Sequence, residues 1–280
     1  MKRPFCRLAA AAACAAAIST AFAEPSEITV DLRLDHIDFV DGERVHAVVD
    51  VANLSPDTVS VGYADSADRL FIEVFRSSDK SQMEHTSGKA FVAPFLVKPN
   101  EGQKLGTWLG DHYGLRNHGR YLAKPVLVHG GVRFEGQMRA FDIVPGMRVC
   151  GALQIFSNHE GLRREFELVN WRRGGADHLF MKSADAGSSD RKWATMDIGP
   201  MMKITKPTIS IMPGGEVVVL HRVDADAYLR SEFWSVPEGV LFAKRELVQD
   251  PETAGANRVR EIYRETGGVQ PKENPWWKFW

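Results

Sequence analysis

The chain has 280 residues, with 35 Lys plus Arg against 36 Asp plus Glu. That near balance argues against a nucleic-acid partner, which needs a clustered basic surface. The length suits about two domains.

The first 23 residues read as a secretory signal peptide. Lys2, Arg3 and Arg7 precede an apolar run from Leu8 to Ile18, and Ala21-Phe22-Ala23 forms a small-x-small cleavage site before Glu24. The run is shorter than the roughly 20 apolar residues of a membrane span. Cys14 lacks the large aliphatic residue that a lipid-attachment site has three positions upstream, where Ala11 stands. The Ala-rich leader points to a bacterial periplasm or exterior. Its removal takes three cations, leaving 32 against 36, a charge of −4. It also takes two of the three cysteines, so Cys150 has no internal disulfide partner. No later apolar run is long enough to span a membrane.

Residues 24–148 read as strands. Ile28, Val30, Leu32 and Leu34 alternate with polar residues, the period of a half-buried strand. The phase slips at Asp35-His36 and resumes at Ile37 and Phe39, which predicts a bulge. Asp41-Gly42 signals a hairpin, after which Val45, Ala47, Val49 and Val51 alternate. Further strands are predicted at 69–76, 91–97, 103–109, 120–128 and 132–144. Short strands between turn signals predict a β-sandwich.

Residues 149–248 read as two similar units of four strands. The first is Leu153–Ser157, Glu165–Trp171, His178–Ala184 and Lys192–Ile198. The second is Thr208–Met212, Glu216–His221, Tyr228–Trp234 and Val240–Leu247. The period of about 50 residues suits a repeat. Residues 249–280 change character. Ala256–Glu265 is predicted as a short helix, followed by a tail in which Trp276, Trp277 and Trp280 form a candidate interface, on this chain or in a homo-oligomer.

Two resemblances follow from these residues. Leu109, Tyr113, Leu115, Gly119 and Tyr121 fall in the pattern L-x-x-x-Y-x-L-x-x-x-G-x-Y, which resembles the end of bacterial immunoglobulin-like domains. The resemblance implies that Tyr121 forms a tyrosine corner. Ser183, Asp185 and Gly187, followed by Trp193, resemble the Asp-box S-x-D-x-G-x-x-W of sialidase-like BNR propeller blades, with three extra residues before the Trp. Ser235, Gly239 and Phe242 repeat the spacing, with Pro237 in the Asp place. The resemblance implies a turn after each third strand, with Ser and Asp oxygens satisfying turn amides and the aromatic packed beneath. Two blades cannot close a ring of the usual 4–8. They are expected to pack face to face, on the first domain, or on another chain.

The loop after each second strand lies, in such blades, on the ligand face. It carries Trp171, Arg172 and Arg173 in one unit and Arg222, Asp224 and Asp226 in the other. Arg offers paired donors for carboxylates and sulfates, and Trp a flat face for a sugar. These six residues are the candidate site for an acidic glycan.

No nucleophile elbow, zinc helix, P-loop or paired C-x-x-C is present. Ser77-x-x-Lys80 and Ser189-x-x-Lys192 match S-x-x-K without the K-T-G that accompanies it. No catalytic residue, metal or cofactor is therefore assigned. The expectation is an all-β, exported, non-catalytic binding or scaffold protein that recognises an acidic glycan or an envelope partner. The alternatives are a sialidase-like hydrolase completed by oligomerisation and a protease-inhibitor-like envelope module.

Overall fold

In the computed structural model, the structure describes residues 27–63, 67–157, 159, 161–187 and 192–249. The leader, the Ala256–Glu265 helix and Trp276, Trp277 and Trp280 lie outside the described residues. The protein is all-β. No helix of the described residues is long and apolar enough to cross a membrane.

Among the described residues the first half contains ten strands: β1 (Ile28–Leu34), β2 (Asp38–Val40), β3 (His46–Asn53), β4 (Val59–Val61), β5 (Arg69–Arg76), β6 (Phe95–Val97), β7 (Glu101–Trp108), β8 (Gly119–His129), β9 (Val132–Glu135) and β10 (Arg139–Val144). One sheet has the order β1-β3-β7 and another β2-β10-β8-β5, with β9 also on β8; β4 and β6 form a small third sheet. The alternation in β1 and β3 sends Leu32, Ala47, Val49 and Val51 inward, where they meet Ile72, Val74, Tyr121 and Phe141 in one core. Tyr121 donates to the Asn117 carbonyl at 2.6 Å. That hydroxyl tie, four residues back, is what a tyrosine corner makes.

The structure corrects three local expectations. The phase slip at Asp35-His36 is a change of sheet: β1 pairs antiparallel with β3, whereas β2 pairs parallel with β10. Phe39 is buried by the change and Ile37 is left exposed. Asp41-Gly42 is a turn, but it joins strands of different sheets and closes no hairpin. The stretch 132–144 is two strands: β9 ends at Glu135, and Gly136, whose amide still donates to the Pro125 carbonyl (3.0 Å), lies where Val30 passes too close for a side chain.

The second half contains β11 (Met147–Ile155), β12 (Arg163–Arg173), β13 (Ala176–Asp185), β14 (Ala194–Pro200), β15 (Thr208–Ile211), β16 (Glu216–Arg222), β17 (Ala227–Val236) and β18 (Gly239–Gln249). They form two four-stranded antiparallel sheets, each in chain order. The sheets bury one common core between them, with Phe166, Leu168, Leu179 and Met181 from one and Val217, Val219, Phe233 and Val240 from the other. The opposite face of the β11–β14 sheet is also covered. Val169 and Phe180 pack with Val40 of the first half. That is why β13 reads as a nearly continuous buried run from Leu179 to Ala184.

Candidate functional site

The two loops assigned to a glycan share one end of the second half. Gly174 and Gly175, both with positive φ, make the two-residue turn between β12 and β13. The connector after β14 touches both loops: the Met201 amide donates to Asp177 (2.7 Å) and the Met202 amide to the Arg222 carbonyl (2.8 Å). Arg172 is exposed there, and Lys203 pairs with Asp177 at 2.8 Å.

The six residues do not, however, form one open patch. Arg173 is buried and donates to Glu43 (2.6 and 2.8 Å) and to the Asp38 carbonyl (3.0 Å). The Trp171 indole donates to the Asp38 carboxylate and does not lie open to a sugar. Arg222 folds over its own loop, donating to the Asp224 carbonyl (3.1 Å) and the Ala225 carbonyl. The Asp224 carboxylate in turn caps the Ala225 amide at 2.7 Å. Asp226 is exposed.

The reason Arg173 and Trp171 are taken is the Asp38–Glu43 segment. Its carboxylates meet cations on β12 and β13: Glu43 takes Arg173, and Asp41 takes Lys182 at 3.0 Å. Burial opposes the charge of Arg173, but the Glu43 bond and the nearby Asp197 and Asp38 charges more than offset it and raise its pKa. Gly42 completes the contact. It has φ +83°, and a Cβ there would lie 2.5 Å from the Trp193 carbonyl oxygen. Beside this contact lies a cavity of ≈ 290 Å³, lined by Asp35, Glu43, Arg44, Trp108, Met181 and Asp197 among others.

Both box segments end their third strands, β13 and β17, as the repeat predicts. Their chemistry differs from the expectation. The oxygens of Asp185 and Ser235 serve Arg164, a buried residue of β12. Its Nε donates to Asp185 (2.9 Å), and its Nη1 to Ser235 Oγ (3.2 Å), Val236 O (2.5 Å) and Gly239 O (2.8 Å). Its Nη2 donates to Pro237 O at 3.1 Å. One guanidinium thus ties the two turns together. Ser183 is buried. Gly187 has φ +91°, whereas Gly239 simply opens β18. The aromatics also part company. Trp193 is half-buried beneath the Lys182 ammonium, and Phe242 packs on Phe233 in the shared core.

A larger cleft lies elsewhere, in the first half. It has a volume of ≈ 660 Å³ between β5 and the segment 82–92. Phe71, Phe91, Met83 and Val92 supply apolar wall, and Arg69, Glu73, Glu84, His85 and Lys89 supply charge or polarity. The size falls in the range of small-ligand and peptide sites. His112 anchors the outer wall. Phe91 stacks on its ring at 4.1 Å between centroids. Its Nδ1 lies 3.2 Å from His85 Nε2 and 3.1 Å from Ser87 Oγ, and its Nε2 lies 3.1 Å from Thr107 Oγ1. Its carbonyl accepts from the Thr86 amide at 2.8 Å. Burial, helped by His85, lowers the pKa of His112. Nothing in the sequence marked His112, Phe91 or Arg164, since most partners of each lie far away in the chain.

Among the described residues no group of three or more His, Cys, Asp or Glu side chains is arranged to hold a metal ion. Burial raises the pKa of Cys150, whose thiol faces the Pro207 carbonyl at 3.6 Å. A thiol held protonated is unreactive.

His221 gives the second half a pH dependence. It is buried, and burial lowers its pKa to about 4 despite a contact with the Pro200 carbonyl. In the unfolded chain it titrates near 6.5. Between those values the unfolded state binds a proton that the folded state refuses. Stability is therefore full above about pH 6.5 and falls as the pH drops towards 4, by on the order of 3 kcal/mol in all. Denaturant titrations at pH 7 and pH 4.5 check this. The parent is expected to lose about 2.5 kcal/mol more than His221→Gln between those two values.

The geometry defines an all-β protein of several sheets, with an open cleft in one half and an ion-paired junction to the other. No family model matches the chain, and no curated protein matches it. Among solved structures, the sporulation control protein Spo0M from Bacillus subtilis is similar at 11% identity, over 86% of this chain and 98% of that one, with a TM-score of 0.30.

Proposed function

We propose that the chain is an exported, non-catalytic binding protein, an immunoglobulin-like sandwich locked to two blade-like repeats, with its ligand site in the cleft along β5. The observation that carries this reading is the cleft itself, ≈ 660 Å³ of partly apolar space with charged groups from both β5 and the segment 82–92. The Tyr121 hydroxyl tie supports the immunoglobulin-like assignment. The two meander sheets, each with a box segment closing its third strand, support the blade-like assignment. The buried Glu43–Arg173 pair makes the halves a fixed frame for such a site.

A second reading, an acidic glycan held at the far end of the second half, keeps one observation in its favour. Arg172 and Lys203 stand at that end, beside the connector that joins both loops.

One experiment separates the two. The chain beginning at Glu24 is screened against peptide, fatty-acid and acidic-glycan panels, with Phe91→Ala and Arg172→Ala/Arg222→Ala run in parallel. The cleft reading expects Phe91→Ala to weaken the best binder by about tenfold or more, with the arginine variant unchanged. The opposite pattern moves the ligand to the second half. Turnover of any panel member overturns the non-catalytic reading.

A further inference from the structure

We infer that the cleft takes its ligand as an added β-strand: an extended peptide with apolar side chains and at least one carboxylate, paired along the open edge of β5. The inference rests on the cleft being the binding site.

The argument starts from strand parity. β5 pairs with β8 on one side and, among the described residues, with no strand on the other. Four bonds show which residues face that other side. The Asp68 carbonyl accepts from Gly62, the Val74 carbonyl from Met83, and the Arg76 amide donates to Ser81. The Ile72 carbonyl accepts from the Tyr113 hydroxyl. Even-numbered residues thus direct their backbone groups away from β8. The segment around Gln82 follows β5 only at its far end, where it bridges Phe75. Beyond Met83 it departs, and the cleft opens where it leaves. The N–H and C=O of Leu70 and the N–H of Ile72 face this opening with no strand partner among the described residues.

Backbone donors and acceptors on a strand edge, without a strand partner among the described residues and beside a partly apolar cleft, are the arrangement that strand addition uses. Side chains of an added strand alternate between two sides. On one side lie Met83, Phe91 and Val92, which pack against the sandwich core. On the other lies Phe71, with the Arg69 guanidinium at 5.3 Å and the Arg133 guanidinium at 5.7 Å from its ring.

Charge selects the kind of peptide. Burial raises the pKa of Glu73, but its bonds to Arg133 and Lys124, at 2.8 and 3.2 Å, outweigh this and hold it ionised and paired. The remaining ionic groups of the lining are Arg69, Lys89 and Glu84, two cations against one carboxylate, with His85 beside them. A peptide carrying a carboxylate complements that lining better than a basic one.

The test selects peptides of about eight residues from a random library on the chain beginning at Glu24 and titrates the best binder. The expected binder is apolar and acidic. Methylating alternate backbone nitrogens of the peptide should abolish binding in one phase and leave it intact in the other. Magnetic-resonance contacts should join the peptide backbone to Leu70–Ile72. Arg69→Ala/Lys89→Ala should weaken an acidic binder by about tenfold. A peptide that needs Phe91 yet tolerates methylation in both phases overturns strand addition and leaves the cleft reading standing. So does a cleft that takes decanoate but no peptide. If no probe depends on Phe91, both readings fall.

Discussion

Arg164→Ala is expected to lower the stability of the second half by about 4 kcal/mol, from lost packing and several acceptors left without a donor. The guanidinium is 4% exposed and donates to three backbone carbonyls, one hydroxyl and one carboxylate. Without it the carbonyls of Val236, Pro237 and Gly239 lose their donor, and each buried acceptor left unsatisfied costs about 1–3 kcal/mol. Arg164→Lys is expected to recover little, because a single ammonium cannot span Asp185 and three carbonyls as the planar fork does. Asp185→Ala is expected to cost less than about 1 kcal/mol, since that carboxylate is half exposed and its pair is screened. Denaturant midpoints for the three variants give the order Asp185→Ala, Arg164→Lys, Arg164→Ala. An Arg164→Ala loss no larger than that of Asp185→Ala would falsify the clamp.

The second large effect is at the junction. Glu43→Ala leaves Arg173 buried and short of its main counter-charge, and removal of one partner from such a pair costs about 3–5 kcal/mol. Glu43 Oε2 also accepts from the Val40 amide at 2.9 Å, so the turn itself loosens. The parent is expected to unfold in one transition and Glu43→Ala in two, as each half melts alone. The double variant Glu43→Leu/Arg173→Met replaces the pair with apolar side chains. It is expected to regain most of the lost stability, because no lone charge then remains buried. Calorimetric scans distinguish these outcomes. A single transition at the parent midpoint in Glu43→Ala sinks the coupling.

The strands were legible because each half-buried strand repeats every two residues. Val45 to Val51 carries that period openly, whereas Glu216 to His221 is a short apolar run marked out by the Pro213-Gly214-Gly215 turn before it. The sheet each strand joins was not legible. Alternation gives a face but no partner, so the move of the chain at Asp35-His36 from one sheet to the other looked like a bulge. Arg173 and Trp171 illustrate the same limit at the candidate site. A charged residue beside a Gly-Gly turn reads as a solvated loop unless its partner is known, and Glu43 lies 130 positions away. The box segments were found by spacing, but the side chain that organises them comes from β12 and shares no motif with them. The cleft was invisible, since its walls come from β5 and an irregular segment with no period at all.

The place of the Asp38–Glu43 turn has a consequence for the order of folding. β2 enters its sheet only when β10 arrives to pair with it, Asp38 opposite Asp142. Contacts between positions so far apart close a long loop, which slows their formation. Until they form, the carboxylates of Asp38, Asp41 and Glu43 have no fixed arrangement to present. β11 begins at Met147, immediately after β10 ends. A chain emerging amino end first therefore completes the sheets of the first half just as the second half starts to appear. Assembly is then sequential: the earlier half is finished as a template before the later one needs it. A slip in β10 pairing would be paid twice, once in its own sheet and once in a second half with nowhere to settle.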